Sequence, residues 1–322
     1  GGVTAAQGFL AAGLSAGIKK GNTKDMAMLY SKVPCEAAGT FTTNIVKAAP
    51  VKWDQKIVYE SEKAQAVICN SGIANACTGE EGFGCCKETA KAASLALNIP
   101  EDSVLVASTG VIGQQIPIEK IKKGIENMAP LLSESISAGT LAAEAIMTTD
   151  TVKKEIAVEV EIDGKNVTVG GMIHPNMCTM LGFITTDVVI SKELLQAALS
   201  ESVKDTYNMV SVDGDTSTND TVLLLANGLA GNKKIETKEE DYKKFAEALN
   251  YVNTWLAKHI AADGEGASAL FEVKVIGAKS KEQAVTLSKS IITSNLTKAA
   301  IFGHDANWGR ILCAMGYSGA VF

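Results

Sequence analysis

The sequence predicts an α/β protein in which helices cover β-sheets, outside the Rossmann class. Three observations lead there. Several short apolar runs bounded by glycine and polar residues read as strands. Segments with apolar residues three and four apart read as helices between them. The two kinds alternate without the regular βαβ rhythm of a doubly wound sheet.

Taken in order, residues 64–69 and 103–108 are strand-like, each an apolar run ending in polar residues or glycine. Residues 84–97 and 132–147 are rich in alanine and have helical propensity. Pro117 suits the first turn of a helix carrying Ile118, Ile121 and Ile125. Residues 155–162 alternate with period two, Asp163-Gly164 supplies a turn, and residues 165–169 return as the second arm of a hairpin. Further strands are expected at 180–184 and 269–276. Tyr242, Phe245, Leu249, Val252 and Leu256 form a buried helical stripe. Ser280 and Gln283 stand in capping-box spacing ahead of a last apolar helix.

The 322 residues, 46% hydrophobic, suffice for one large domain or two ordinary ones. The net charge of −6 is spread along the chain, and no basic block points to nucleic acid. No apolar run reaches the roughly 18–20 residues that span a bilayer. The opening Gly1-Gly-Val-Thr4 lacks the charged and apolar regions of a signal peptide, so none is expected. Seven cysteines, an odd number in largely apolar contexts, predict reduced thiols and a cytoplasmic protein. With His174, His259 and His304 as the only histidines, and no CxxC pair or HExxH, no zinc site is expected.

The most informative stretch is Gly170-Gly-Met-Ile-His-Pro-Asn-Met-Cys-Thr-Met-Leu-Gly-Phe-Ile-Thr-Thr-Asp187. Thr179 follows a Pro175-Asn176 turn signal and opens an apolar run. By residue type it reads as a strand residue. Its hydroxyl becomes a nucleophile if the chain is cut before it, because the new α-amine then serves as the base. Cys178 with His174 is a rival pair, weakened by Pro175, which opposes the helix that would align them.

Other motifs have bland readings of equal or greater weight. Ser108-Thr-Gly-Val-Ile-Gly113 is a glycine turn whose N–H groups could face an oxyanion, and it lacks the Gly-Lys-Ser/Thr of a P-loop. Asp213-Gly-Asp-Thr-Ser-Thr-Asn-Asp220 is not an EF-hand, since Leu224 stands where the bidentate glutamate belongs; it reads as a polar turn bonding its own backbone. Asp263-Gly-Glu-Gly-Ala267 stops the long helix, with Glu265 either in a site or in a solvated turn. His304-Asp-Ala-Asn-Trp-Gly-Arg310 lines a pocket or forms a surface loop with Trp308 buried.

Together these motifs resemble the ornithine acetyltransferases, the bifunctional glutamate N-acetyltransferase/amino-acid acetyltransferases of arginine biosynthesis. The likeness runs through Ala37-Ala-Gly-Thr-Phe-Thr-Thr-Asn44, Asn70-Ser-Gly-Ile-Ala-Asn-Ala-Cys-Thr-Gly79, Ser108–Gly113, Thr148-Thr-Asp-Thr151, Met172–Leu181, Val212–Asp220, Asp263–Ala267 and Asp305–Arg310. The resemblance implies a layered architecture shared with self-processing aminopeptidases. It implies self-cleavage between Cys178 and Thr179, giving an α fragment of residues 1–178 and a β fragment of residues 179–322, two of each in a heterotetramer. It further implies Thr179 as nucleophile, Thr109 and Gly110 as the oxyanion-stabilising pair, and Thr148 and Glu265 as substrate-binding residues. The implied reaction moves an acetyl group from N2-acetylornithine to glutamate through an acetyl-Thr179 ester, without metal or nucleotide cofactor and away from membranes. Acetyl-CoA use as a second donor is left open.

Two departures stand out. The family's Gly-Gly-x-Ala-Lys-Gly-Ser-Gly-Met stretch is shortened here, Gly171 running straight into Met172, so its lysine has no counterpart. Relatives continue past the position of Phe322, so the C-terminal portion is expected to be truncated or missing. The competing readings are an aminopeptidase-like hydrolase with the same nucleophile and an unprocessed amino-acid-binding relative.

Overall fold

The computed structural model describes residues 1–176 and 179–322. Strands β1 (Phe9–Leu14) and β2 (Met26–Phe41) pair antiparallel, and α1 (Ala49–Glu60) follows with Pro50 in its first turn. Then come β3 (Ala64–Ile73), α2 (Gly79–Leu97), β4 (Val104–Val111), α3 (Ile118–Met128) and α4 (Ile136–Ile146). The hairpin of β5 (Lys154–Ile162) and β6 (Lys165–Asn176) leads to β7 (Thr179–Thr186), α5 (Lys192–Asp205), β8 (Thr221–Ala226) and the long α6 (Glu240–Ala262). Three helices close the chain: α7 (Lys281–Thr293), α8 (Asn295–Phe302) and α9 (Trp308–Gly316).

The hydrogen-bonded strand order is β4-β3-β2-β8-β7-β6-β5, with β1 also on β2. β2 belongs to two sheets at once. Its first part pairs with β3, the register slips between Tyr30 and Cys35, and residues Glu36–Phe41 pair with β8. The irregularity bends the strand and folds one sheet over the other. Side chains alternate accordingly. Leu181, Phe183, Leu223 and Leu225 join Phe9, Met28, Val67 and Leu105 between the sheets. Ile184, Val222 and Leu224 face the other way, into a core with Leu195 and Leu199 of α5 and Phe245, Leu249 and Val252 of α6. Helix α4 is inserted between the sheets: Ser71 Oγ donates to Ala145 O at 2.6 Å and Thr140 Oγ1 donates to Glu155 Oε1 at 2.8 Å.

The layered α/β expectation holds, and so does the absence of a Rossmann pattern, although β3-α2-β4 and β7-α5-β8 are each a parallel pair with a crossover helix. The hairpin, the α6 stripe and the Ser280 cap form as expected, with Ser280 Oγ accepting from Gln283 N at 3.2 Å. The strand expected at 269–276 does not form; the segment is irregular and half exposed, and no neighbouring strand pairs with it. Alternating sequence without a partner edge does not make a strand. Trp308 is not buried: it opens α9 with 73% of its surface exposed. Ser108–Gly110 lie in the last part of β4, not in the turn expected there. Among the described residues no helix is long and apolar enough to cross a membrane.

One polar cluster inside this packing joins two segments that bear on the site. Lys154, fully buried, ion-pairs with Asp150 at 2.8 Å and with Asp263. Burial pushes the Asp263 carboxyl up, but hydrogen bonds from Lys154 and Thr151 outweigh it and hold it below the usual carboxylate range. Lys154→Met removes the ammonium that the Asp150 and Asp263 carboxylates share. Urea unfolding should show a loss of about 3–5 kcal/mol, the usual cost of removing one partner of a buried pair.

Candidate functional site

Thr179 opens β7, half-buried, and its Oγ1 lies 2.7 Å from Ser217 Oγ. The register puts Thr179 opposite Asn176, the last pair of the β6–β7 ladder, at the end where the two strands are connected. Cys178, the other half of the expected cleavage site, falls outside the described residues, as does the side chain of His174.

The loop ahead of β8 builds the rest. Asp220 Oδ1 accepts the Met180 N–H at 2.7 Å, so the residue after Thr179 is held directly. Burial raises the Asp220 carboxyl to about 7, against the N–H groups of Met180 and Ser217, which stabilise its anion. Ser217 Oγ accepts the Asn219 N–H at 3.0 Å, and the Ser217 carbonyl accepts the Thr42 hydroxyl. Asn219 Nδ2 donates to Ala74 O at 2.7 Å and to Ser108 O at 2.8 Å. The polar turn expected here does bond its own backbone, with Asp215 N–H donating to Asp213 Oδ1 at 2.8 Å. No residue pattern signals that the same turn meets Thr179.

Thr109 and Gly110 continue β4 directly from Ser108, which Asn219 grips. Thr109 Oγ1 is buried and has no hydrogen-bond partner among the described residues. A buried hydroxyl without a partner is unusual and calls for an explanation. Gly110 has φ +129°, and a Cβ there would stand 2.2 Å from the Gly72 carbonyl carbon. Only glycine fits that approach.

Thr148 and Glu265 belong to a second group. Thr148 lies just past α4, its N–H donating to Asp150 at 3.1 Å, and Asp150 meets Lys154. Glu265, exposed, lies two residues beyond Asp263 and lines a cavity of about 430 Å³ that includes Val212, Lys258 and Phe271. The two groups are joined by one loop: Val212 covers Gly264, and five residues later Ser217 touches Thr179.

The buried thiols Cys35, Cys69 and Cys86 are poorly placed for nucleophilic chemistry. Burial pushes Cys35 up to about 12 and raises Cys69 and Cys86 further, which keeps them protonated. No three His, Cys, Asp or Glu side chains gather as metal ligands among the described residues.

Against known proteins, the ArgJ family model matches residues 10–322. The chain belongs to the ArgJ family. It is 55% identical over 318 residues to the arginine biosynthesis bifunctional protein ArgJ 1 of Clostridium acetobutylicum, covering 97% of this chain and 77% of that one. It is 52% identical over 330 residues to the ArgJ protein of Symbiobacterium thermophilum, covering 100% and 81%. Two solved structures are similar in fold and sequence. The ornithine acetyltransferase of Mycobacterium tuberculosis complexed with ornithine is 41% identical, with TM-score 0.52, covering 55% of this chain and 92% of that one. The ArgJ protein of Bacillus halodurans is 40% identical, with TM-score 0.53, covering 55% and 91%. Membership makes this chain an acyltransferase of arginine biosynthesis, bifunctional as its relatives are.

Asp220 supplies a test of the site's electrostatics. Its folded-state carboxyl titrates near 7, whereas an unfolded aspartate titrates near 3.9. Its contribution to stability is therefore full below about pH 4 and is lost as pH rises through 7. The unfolding free energy of the wild type relative to Asp220→Asn should fall across that window, and chemical denaturation at several pH values measures it.

Proposed function

We propose that Thr179 is the nucleophile of an acetyl transfer from N2-acetylornithine to glutamate, freed by self-cleavage between Cys178 and Thr179. The observation that supports this best is the placement of the Thr179 hydroxyl, 2.7 Å from Ser217 in a loop that also grips the strand carrying Thr109 and Gly110. Nucleophile and oxyanion donors are thus referred to one frame.

In the mature enzyme the Thr179 α-amine, with a reference pKa of about 7.7–8.0, accepts the hydroxyl proton. The oxygen attacks the acetyl carbonyl. Thr109 Oγ1 and the Gly110 N–H face the charge that develops, in a position where a donor typically contributes about 3–4 kcal/mol. Ornithine leaves, glutamate enters, and the acetyl group passes to its amine, a ping-pong exchange through an acetyl-Thr179 ester. Thr148 and Glu265 bind substrate, Glu265 answering the amino groups of ornithine. No metal or nucleotide cofactor takes part, and use of acetyl-CoA as a second donor is read by assaying glutamate acetylation with acetyl-CoA alone.

Residues 1–178 form the α fragment and residues 179–322 the β fragment, assembled as α2β2. The matched 55% of this chain in the solved relatives equals the share of residues 1–178 in the 322, which suits chains ending at the cut. The free thiols Cys35, Cys69, Cys77, Cys85, Cys86 and Cys313 suit a reducing cytoplasm.

Mass spectrometry of the purified protein should give two fragments meeting at Cys178 and Thr179, and Thr179→Ala should stay whole and inactive. Incubation with N2-acetylornithine alone should leave one acetyl group on Thr179, and added glutamate should remove it as acetylglutamate. Full transferase activity in Thr179→Ala, or release of acetate in place of acetylglutamate, contradicts the reading.

A further inference from the structure

We propose that Ser217 Oγ is the proton relay of the self-cleavage, taking the Thr179 hydroxyl proton and handing its own proton to the Thr179 nitrogen. This rests on Thr179 being the nucleophile at the 178–179 bond and supplies what that reading lacks for the uncut chain.

The mature enzyme has an amine to serve as base. The precursor does not. Before scission the Thr179 nitrogen is an amide, its lone pair shared with the preceding carbonyl, and it accepts a proton only as the C–N bond breaks. A threonine hydroxyl does not attack unaided. A group beside Oγ1 must carry the proton from the oxygen to the nitrogen.

Ser217 is placed for this. Its Oγ is 2.7 Å from Thr179 Oγ1. The Asn219 N–H, 3.0 Å away, occupies one of its lone pairs and fixes its rotamer. Thr42 holds the Ser217 carbonyl, and the residue is almost fully buried. The nitrogen and oxygen of Thr179 sit on adjacent carbons, so one hydroxyl against Oγ1 is also near the nitrogen. Asp220 receives the N–H groups of Met180 and Ser217, bracing both partners of the relay without touching the reacting atoms.

The step balances. Thr179 Oγ bonds to the Cys178 carbonyl carbon as the Cys178–Thr179 C–N bond breaks. The Thr179 hydroxyl proton moves to Ser217 Oγ, and the proton Ser217 carried moves to the departing nitrogen, which becomes an amine. An ester joins Cys178 to Thr179 Oγ. Water then hydrolyses it, leaving a carboxyl on Cys178 and a hydroxyl on Thr179.

The test follows cleavage of the full chain after a short pulse of cell-free synthesis, by gel and intact mass. Ser217→Ala should slow scission about 10²–10⁴-fold, the range of general acid–base catalysis. Ser217→Thr keeps the hydroxyl and should recover most of the rate. The wild-type rate in mixtures of light and heavy water should curve with deuterium fraction, as two protons in flight require. Equal rates for wild type and Ser217→Ala overturn the relay. So does a Ser217→Thr variant as slow as Ser217→Ala with unchanged melting temperature, or a strictly linear solvent dependence. If the wild type never splits at 178–179, the assignment of Thr179 falls instead, so the two failures are distinguishable.

Discussion

The carboxamide of Asn219 connects two sheets at the place where Thr179 begins its strand. Its two N–H bonds reach the Ala74 carbonyl just past β3 and the Ser108 carbonyl that precedes Thr109 in β4, while its own backbone leads into β8 of the other sheet. Each such bond is worth only about 1 kcal/mol net, yet a buried carbonyl left without its donor costs about 1–3 kcal/mol. The larger consequence is geometric. An ångström of drift between a nucleophile and its oxyanion donors removes much of the advantage of orientation. Ser217 and Asp220, two residues before and one after, fasten Thr179 and Met180 to the same short loop.

A second anchor works at the other end of that loop. Lys154 draws together Asp150, next to the Thr148 segment, and Asp263, at the stop of α6. Such a buried trio adds little net stability once desolvation is counted. What it supplies is a fixed relation between two chain segments more than a hundred residues apart. Val212 over Gly264 then carries that relation along the loop toward Ser217. The Thr179 end and the Thr148–Asp263 end are thus tied through one loop, which keeps its polar residues in place between the sheets.

Much of this was legible in the sequence where the signal is local. The period-two run and Asp163-Gly164 mark the β5–β6 hairpin, and the α6 stripe marks its helix, because neighbours in sequence are neighbours in space. β2 was not legible. It contains Pro34 and charged residues, and it changes sheets midway, so no single periodicity runs its length. The segment 269–276 shows the converse, a good alternating pattern without an edge to pair on. Ser217 and Asp220 read as ordinary turn residues because their roles come from a contact 38 and 40 positions away along the chain. Thr179 itself stood out through the resemblance, since a threonine at the head of an apolar run has no distinctive signature alone.

The strand order also explains why a cut before Thr179 need not dismantle the molecule. β7 and β8 lie side by side in one sheet, flanked by β2 on one edge and β6 on the other. Residues 1–178 therefore enclose the strands of residues 179–322 within a continuous ladder. Scission between β6 and β7 removes a hairpin connection but leaves the Val169–Asn176 pairing with Thr179–Thr186, and the Glu36–Phe41 pairing with β8, intact. Their apolar faces stay interleaved in two cores, with Leu181 and Leu223 on one side and Ile184 and Leu224 on the other. A cut there would release the new amine at the Asn176–Thr179 end of the ladder, with Asp220 on Met180 and Ser217 on the hydroxyl still bonded from the loop ahead of β8.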